Sequence, residues 1–282
     1  MKQKSLKKEI YVEGVGLHTG KWAEVWIKPA PPNSGIYFVK KKPAKTTVIP
    51  ADINHIVKAY YSTTIGKDGE TISTVEHLLG VLNLVGINNA EIVIKGDEVP
   101  ILDGSGMPIL EKIKSAGIEE FEAEAPVLMV LEEFSYTEKD KKLSVSPSNT
   151  FRILCEIEFP NPGIKKQVLS FSMDGLGAAG EIAGARTFGF VNEIPIQREK
   201  GLIKGGSLSN AVVFDENGNV INKEGLRYEN EPVRHKILDL IGDFSLIGCH
   251  VFGEVRARKS GHSFNHKFLR EFLKSNCYRI KR

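Results

Sequence analysis

Residues Pro232 to Ile247 constrain this chain more than any other stretch. Val233, Ile237, Leu240, Ile241 and Phe244 recur at helical spacing and make one apolar stripe. Pro232 suits the first turn of a helix, where its missing N–H costs nothing. The spacing predicts a long amphipathic helix that has to bury its stripe against a core. Its other side is unusual. His235, Asp239 and Asp243 fall at i, i+4 and i+8 and so stack on one face. A histidine and an aspartate one turn apart can reach a single metal ion, although a solvated polar face has the same pattern. Gly242 costs such a helix roughly 1 kcal/mol relative to alanine, which implies a close approach by another segment.

The rest of the chain alternates strands and helices. Strands are expected at Glu9 to Gly14 and Ala23 to Lys28, with a turn from Pro29 to Gly35. Val75, Leu78, Leu79, Leu82 and Val85 predict a helix over Ser73 to Val85. A strand at Ala90 to Ile94 and a helix from Pro108 to Ala116 flank the turn-rich Leu102-Asp103-Gly104-Ser105-Gly106. The acidic stretch Glu119 to Glu124, ending at Pro126, reads as a linker and divides the chain into residues 1–122 and 127–282. Strands follow at Val127 to Leu131, Leu143 to Ser146 and Phe151 to Phe159, with a turn at Pro160 to Gly163. The small residues of Gly175 to Gly184 open an insertion or loop. Asp215 to Asn219 reads as a hairpin turn, and Lys267 to Lys274 as a last helix. Strands followed by helices in each half predict an α+β fold with two similar layers. Gly14, Gly16 and Gly20 do not form a dinucleotide loop, because the third glycine comes one residue late and no βαβ unit frames it.

Composition excludes several functions. With 38 basic and 35 acidic residues the net charge is +3, too little for a nucleic-acid footprint. The short basic runs, Lys2 to Lys8 among them, read as solvated termini or loops. Cys155, Cys249 and Cys277 include no C-x-x-C pair, so neither a disulfide framework nor a thiolate metal site is expected. No secretory signal opens the chain, and no apolar run approaches the ~18 residues that span a bilayer. A cytoplasmic protein without integral membrane association is expected.

The chemistry concentrates in three clusters. Ser73-Thr74-Val75-Glu76-His77 can be read as a capping box, with Glu76 closing the first turn. It can equally present Glu76 as a general base beside a ligand histidine, as in H-E-x-x-H hydrolases, although no second histidine follows at i+4. With His235 and Asp239, His77 makes two imidazoles and a carboxylate with an open fourth position, the ligand set of a catalytic zinc site. Ferrous iron or cobalt suits the same donors. The third cluster is Lys259-Ser260-Gly261-His262-Ser263. A protonated His262 could stabilise an oxyanion or protonate a leaving amine, and Asp243 could raise its pKa.

These motifs together carry a resemblance. Gly14-Val15-Gly16-Leu17-His18-Thr19-Gly20, Thr74-Val75-Glu76-His77-Leu78-Leu79, Leu102 to Gly106, Ala185-Arg186-Thr187-Phe188, Gly205-Gly206-Ser207, Gly225-Leu226-Arg227-Tyr228, His235-Lys236-Ile237-Leu238-Asp239 and Gly261-His262 run in order over nearly the whole chain. In these segments it resembles the UDP-3-O-acyl-N-acetylglucosamine deacetylases. The resemblance implies two α+β domains, each a small sheet with helices, the helices packed between the sheets, and an insertion in each domain. It implies zinc-dependent hydrolysis of the acetamide of UDP-3-O-(hydroxyacyl)-N-acetylglucosamine in lipid A synthesis.

By the same resemblance His77, His235 and Asp239 bind zinc and Glu76 is the general base. His262 is the cationic group, with Asp243 orienting it. Thr187 bonds the substrate carbonyl or the intermediate, and Lys236 sits near the sugar or diphosphate. An acyl passage would be built by an insertion at about Gly180 to Ser209, with Ile182, Ile194, Ile203 and Gly206 as lining and Phe188 against the sugar. Core packing is the alternative for these apolar residues. A small-molecule substrate and a monomer are expected. The rival readings are a metal amidase acting on another small amide and a non-catalytic binding module.

Overall fold

The computed structural model describes residues 1–42, 45–173 and 176–281, with residues 176 and 177 as backbone. It is an α+β molecule. Six α-helices are described: α1 (Glu76–Leu84), α2 (Met107–Ala116), α3 (Leu176–Ala183), α4 (Ile194–Glu199), α5 (Glu231–Ser245) and α6 (His262–Lys274).

In the first half a five-stranded sheet runs in the order Ile10–Val15, Trp22–Pro29, Ala90–Lys95, Ile36–Lys42, Lys45–Pro50. Neighbours are antiparallel except Ile36–Lys42 with Ala90–Lys95. Its strands alternate: Ala23, Val25 and Ile27 point into the core while their neighbours face outward. A second, three-stranded sheet is inserted ahead of α1, formed by Ile56–Ala59, Thr63–Lys67 and Glu70–Ser73. In the second half the long strand His250–Arg258 organises the sheet. It pairs antiparallel with Lys141–Ser146 and parallel with both Val127–Val130 and Phe151–Glu158. Among the described residues no strand ladder crosses from one half to the other. A short parallel pair, Phe188–Phe190 with Val212–Phe214, encloses α4 and the segment after it.

The halves meet through helices. Leu78, Leu79, Val81 and Leu82 of α1 and Val233, Ile237, Leu240, Ile241 and Phe244 of α5 are all buried in one core. The two helices touch at glycines. A Cβ on Gly242 would lie 2.1 Å from the Glu76 carbonyl oxygen, and one on Gly80 would lie 2.9 Å from that of Leu238. This is the close approach that a glycine inside the α5 stripe implied.

Several expectations need correction. Glu119 to Glu124 is no linker: Ile118–Glu124 is a strand antiparallel to Lys2–Leu6. Its acidity answers the lysines opposite, Lys4 pairing with Glu120 at 3.4 Å and Lys2 with Glu124 at 3.3 Å. Lys2 and Lys4 are therefore cross-strand partners, while Lys7 and Lys8 are exposed beyond the strand. Helix α1 begins at Glu76, three residues late, because Ser73 ends a strand and Thr74 turns at φ +57°. Helix α6 begins at His262, five residues earlier than periodicity placed it. The expected insertion start at Gly175 lies outside the described residues, and from Leu176 the chain is helical. The turns at Pro160 to Gly163 and Asp215 to Asn219 are present, each held by an aspartate or asparagine side chain accepting from backbone N–H groups.

Candidate active site

Helix α1 brings its first two residues, Glu76 and His77, against the polar face of α5. Both are buried, as are His235, Asp239 and Asp243. His77 Nε2 and His235 Nε2 each lie 3.4 Å from Asp239 Oδ1. The imidazole rings stand edge to face, 4.7 Å apart. One ligand atom from each of the three residues lies within 4.8 Å of the other two.

The donor set fits a metal ion on an observation of its own. Asp239 Oδ1 is buried and, among the described residues, has no hydrogen-bond partner. His235 Nδ1 is 3.0 Å from the Ala185 carbonyl, to which it donates, so Nε2 presents a lone pair inward. The lone pair of His235 Nε2 and the Asp239 carboxylate thus face one point beside His77 Nε2, an arrangement that suits a cation. A tetrahedral site with zinc bond lengths has ligand-to-ligand edges of about 3.4 Å. The other carboxylate oxygen, Oδ2, accepts from Lys236 Nζ at 2.6 Å. Burial opposes ionisation of Asp239, but Lys236 and His235 hold its carboxyl well below the usual range. Burial drives His235 down to about 4, so it is neutral.

Glu76 does not cap its helix. The residue before it, Val75, occupies the N-cap without a side-chain bond. Its carboxylate turns instead into the site, Oε2 accepting from the Thr63 N–H at 2.9 Å and Oε1 lying 3.8 Å from His262 Nε2. Burial raises its pKa, against the pull of His262 and His77. His262, the first residue of α6, faces Asp243 through Nδ1 at 2.9 Å. Burial works against its charged form, yet Asp243 and Glu76 outweigh it and lift His262 to about 9. Asp243 in turn is held far below the usual carboxylate range: burial disfavours its charge, and His262 and His266 more than compensate.

Four groups here escaped the sequence reading. Thr63 Oγ1 donates to Asp243 at 2.6 Å, Asn265 Nδ2 at 2.7 Å, and His266 Nε2 lies 3.0 Å away. His262 and His266 are one helical turn apart in α6, a signal that lies ahead of the apolar periodicity of Lys267 to Lys274. His18, from the first glycine-rich motif, is also buried, with Nδ1 unpartnered among the described residues. Burial lowers its pKa, Glu98 opposes this, and His262 and His77 lower it further.

The segment Ala185 to Phe188 lies alongside. Arg186 is buried against Glu231 at 2.8 Å, and Glu231 also accepts from the Arg227 N–H. Arg227 reaches Asp103 and Ser105. These contacts join the Leu102 to Gly106, Ala185 to Phe188 and Gly225 to Tyr228 motifs into one scaffold. Thr187 is pinned by its N–H to the Gly104 carbonyl at 2.7 Å, two residues from the carbonyl that fixes His235. The Phe188 ring is 6.4 Å from the His235 ring. Ile182 is wholly buried in the core, whereas Ile194 and Ile203 are half-buried in the insertion. Gly206 folds back on Ile203, and a Cβ there would lie 3.6 Å from Leu17.

A hydrolytic centre of this layout has relatives. A family model described as UDP-3-O-acyl N-acetylglycosamine deacetylase matches residues 3–274. The UDP-3-O-acyl-N-acetylglucosamine deacetylase of Myxococcus xanthus is 42% identical over 279 residues, covering 99% of this chain and 88% of the relative. That of Geotalea uraniireducens is 42% identical with 99% and 91% covered. That of Teredinibacter turnerae is 41% identical over 276 residues, with 97% and 91% covered. Matches of this length and identity run through every motif that builds the buried His77, His235 and Asp239 cluster, and the chain belongs to the UDP-3-O-acyl N-acetylglycosamine deacetylase family.

Proposed function

We propose that this chain hydrolyses the N-acetyl amide of UDP-3-O-(3-hydroxyacyl)-N-acetylglucosamine, releasing acetate, as a zinc-dependent step of lipid A biosynthesis. The observation that carries this reading is Asp239 Oδ1, unpartnered among the described residues and facing two imidazoles, with a buried carboxylate and a buried imidazole beside it. His77, His235 and Asp239 would hold the zinc. When bound, zinc supplies Lewis acidity to a water and to the acetamide carbonyl.

The protein groups divide the proton work. Glu76 is held by Thr63 with its other oxygen free toward His262, placed to take a proton from the attacking water. His262 is charged at neutral pH and offers Nε2 to the growing charge on the acetamide oxygen or to the leaving amine. Asp243 keeps Nδ1 protonated and the ring aimed. Thr187 would hydrogen-bond the substrate carbonyl or the intermediate, and Phe188 would be a face for the sugar. Lys236, paired with Asp239, tunes that residue and would sit near the sugar or the diphosphate. Ile194, Ile203 and Gly206 are the lining for the acyl chain, while Ile182 supports it from the core. The same reading divides the chain into domains at 1–122 and 127–282 and places it in the cytoplasm. Among the described residues no helix is long and apolar enough to cross a membrane.

The test is deacetylation of UDP-3-O-acyl-N-acetylglucosamine by purified protein, with a chelator and then with zinc restored. Acetate release that the chelator abolishes and zinc restores is the expected outcome. Bound zinc without acetate release would remove the substrate assignment and leave a metal hydrolase.

A further inference from the structure

The first glycine-rich motif, Gly14 to Gly20, has no part in the proton chemistry above. What holds it is Glu98, a residue 1% exposed that belongs to none of the motifs singled out in the sequence. Its Oε1 accepts from the His18 N–H at 2.9 Å and from Thr74 Oγ1 at 2.8 Å, and its Oε2 accepts from the Thr19 N–H at 2.7 Å. Gly16 makes room for this carboxylate, since a Cβ there would lie 2.3 Å from Glu98 Oε2.

The peptides that reach Glu98 carry the contact onward. The Leu17–His18 peptide donates its N–H to Glu98, and its carbonyl accepts from the Gly205 N–H at 3.0 Å. The His18–Thr19 peptide does the same, its carbonyl accepting from the Lys204 N–H at 3.3 Å. Two successive peptides therefore bridge a buried charge on one side and the insertion on the other, and each bond polarises the next. Backbone meets backbone here, for a Cβ on Gly205 would lie 2.3 Å from the Gly16 carbonyl oxygen. The third bond points the other way. Thr74 sits in the left-handed turn two residues before Glu76, and Ser73 is joined to the segment at Glu98 by an isolated bridge in which its carbonyl accepts from the Val99 N–H at 3.0 Å.

We propose that Glu98 is a positioning residue of the deacetylase, setting the start of α1 through Thr74 and the seat of the insertion through the His18 and Thr19 peptides. One buried carboxylate then registers Glu76 and His77 against the segment that carries Ile203 and Gly206. The proposal rests on the deacetylase reading for its kinetic test and stands apart from it in its structural test.

Glu98→Gln keeps the shape but turns one acceptor oxygen into a donor that faces N–H or O–H groups. At full zinc occupancy, kcat should fall on the order of 10²-fold, the effect of a displacement near 1 Å. The preference for a long 3-O-acyl chain over a two-carbon one should shrink roughly tenfold, as expected for lost apolar contacts. Thr74→Ala removes the α1 arm alone, so kcat should fall while the chain preference stays, and Thr74→Ser should restore kcat. A Glu98→Gln enzyme within twofold of wild type in both readouts overturns the proposal. So does a loss that merely tracks missing zinc or unfolded protein. Should the wild type release no acetate, amide hydrogen exchange decides instead. Faster exchange at His18, Thr19, Lys204 and Gly205 in Glu98→Gln supports the positioning role, and unchanged exchange refutes it.

Discussion

Asp243 accepts from Thr63, His262, His266 and Asn265, and that convergence determines which proton moves at the centre. A buried carboxylate so fully satisfied stays ionised, and its charge keeps the His262 imidazolium protonated. Glu76, with fewer partners and deep burial, is shifted the other way. The signs give a bell-shaped profile. Glu76 works deprotonated, so kcat/KM rises with pH through a value above the ordinary glutamate range. His262 works protonated, so kcat/KM falls as pH passes about 9. His262→Gln should lose the alkaline limb and drop in rate by roughly 10²–10⁴, a general-acid effect. Persistence of that limb in the variant would remove His262 from the role. Glu76→Ala should keep its zinc and lose about 10²–10⁴ in turnover. Full activity in that variant would mean another base.

At the scale of elements, the contact of α1 with α5 is where the sequence speaks most clearly. The α5 stripe and its polar opposite face are both visible in spacing, and Gly242 announces the close approach. What approaches is the backbone of Glu76, so packing and chemistry share one contact. Gly242→Ala, which would favour an isolated helix, should therefore destabilise the protein by about 1–3 kcal/mol, the range for overpacking. Its activity should fall beyond any change in folded fraction, because the carbonyl displaced belongs to Glu76, the proposed general base. A rise in Tm with normal kcat would contradict this. The ends of α1 and α6 were less legible, for a specific reason. Periodicity reads buried apolar residues, yet Thr74 is turned by Glu98, and His262, Asn265 and His266 are buried against Asp243. Polar burial leaves no mark in a hydrophobic pattern.

At the scale of the molecule, His77, His235, Asp239 and Glu76, which the structure buries together, were legible as a cluster because each lies in a short ordered motif. Thr63, Asn265 and His266 were not, since only tertiary packing brings them to Asp243. The same packing predicts what metal removal does. His77 comes from the first half, His235 and Asp239 from the second, and among the described residues no strand ladder joins the halves. A bound ion is therefore a cross-link between them, present in the folded state and absent from the unfolded one. At free zinc a hundredfold above Kd, binding adds about 2.7 kcal/mol of stability. At 2–4 °C per kcal/mol that is a rise in Tm of roughly 5–10 °C on zinc addition to the apo protein. His235→Ala, which breaks the ligand set, should bind no zinc and show no such rise. Calorimetry with and without chelator on both proteins measures it. A Tm indifferent to zinc in the wild type would mean that His77, His235 and Asp239 do not close one site across the α1–α5 contact.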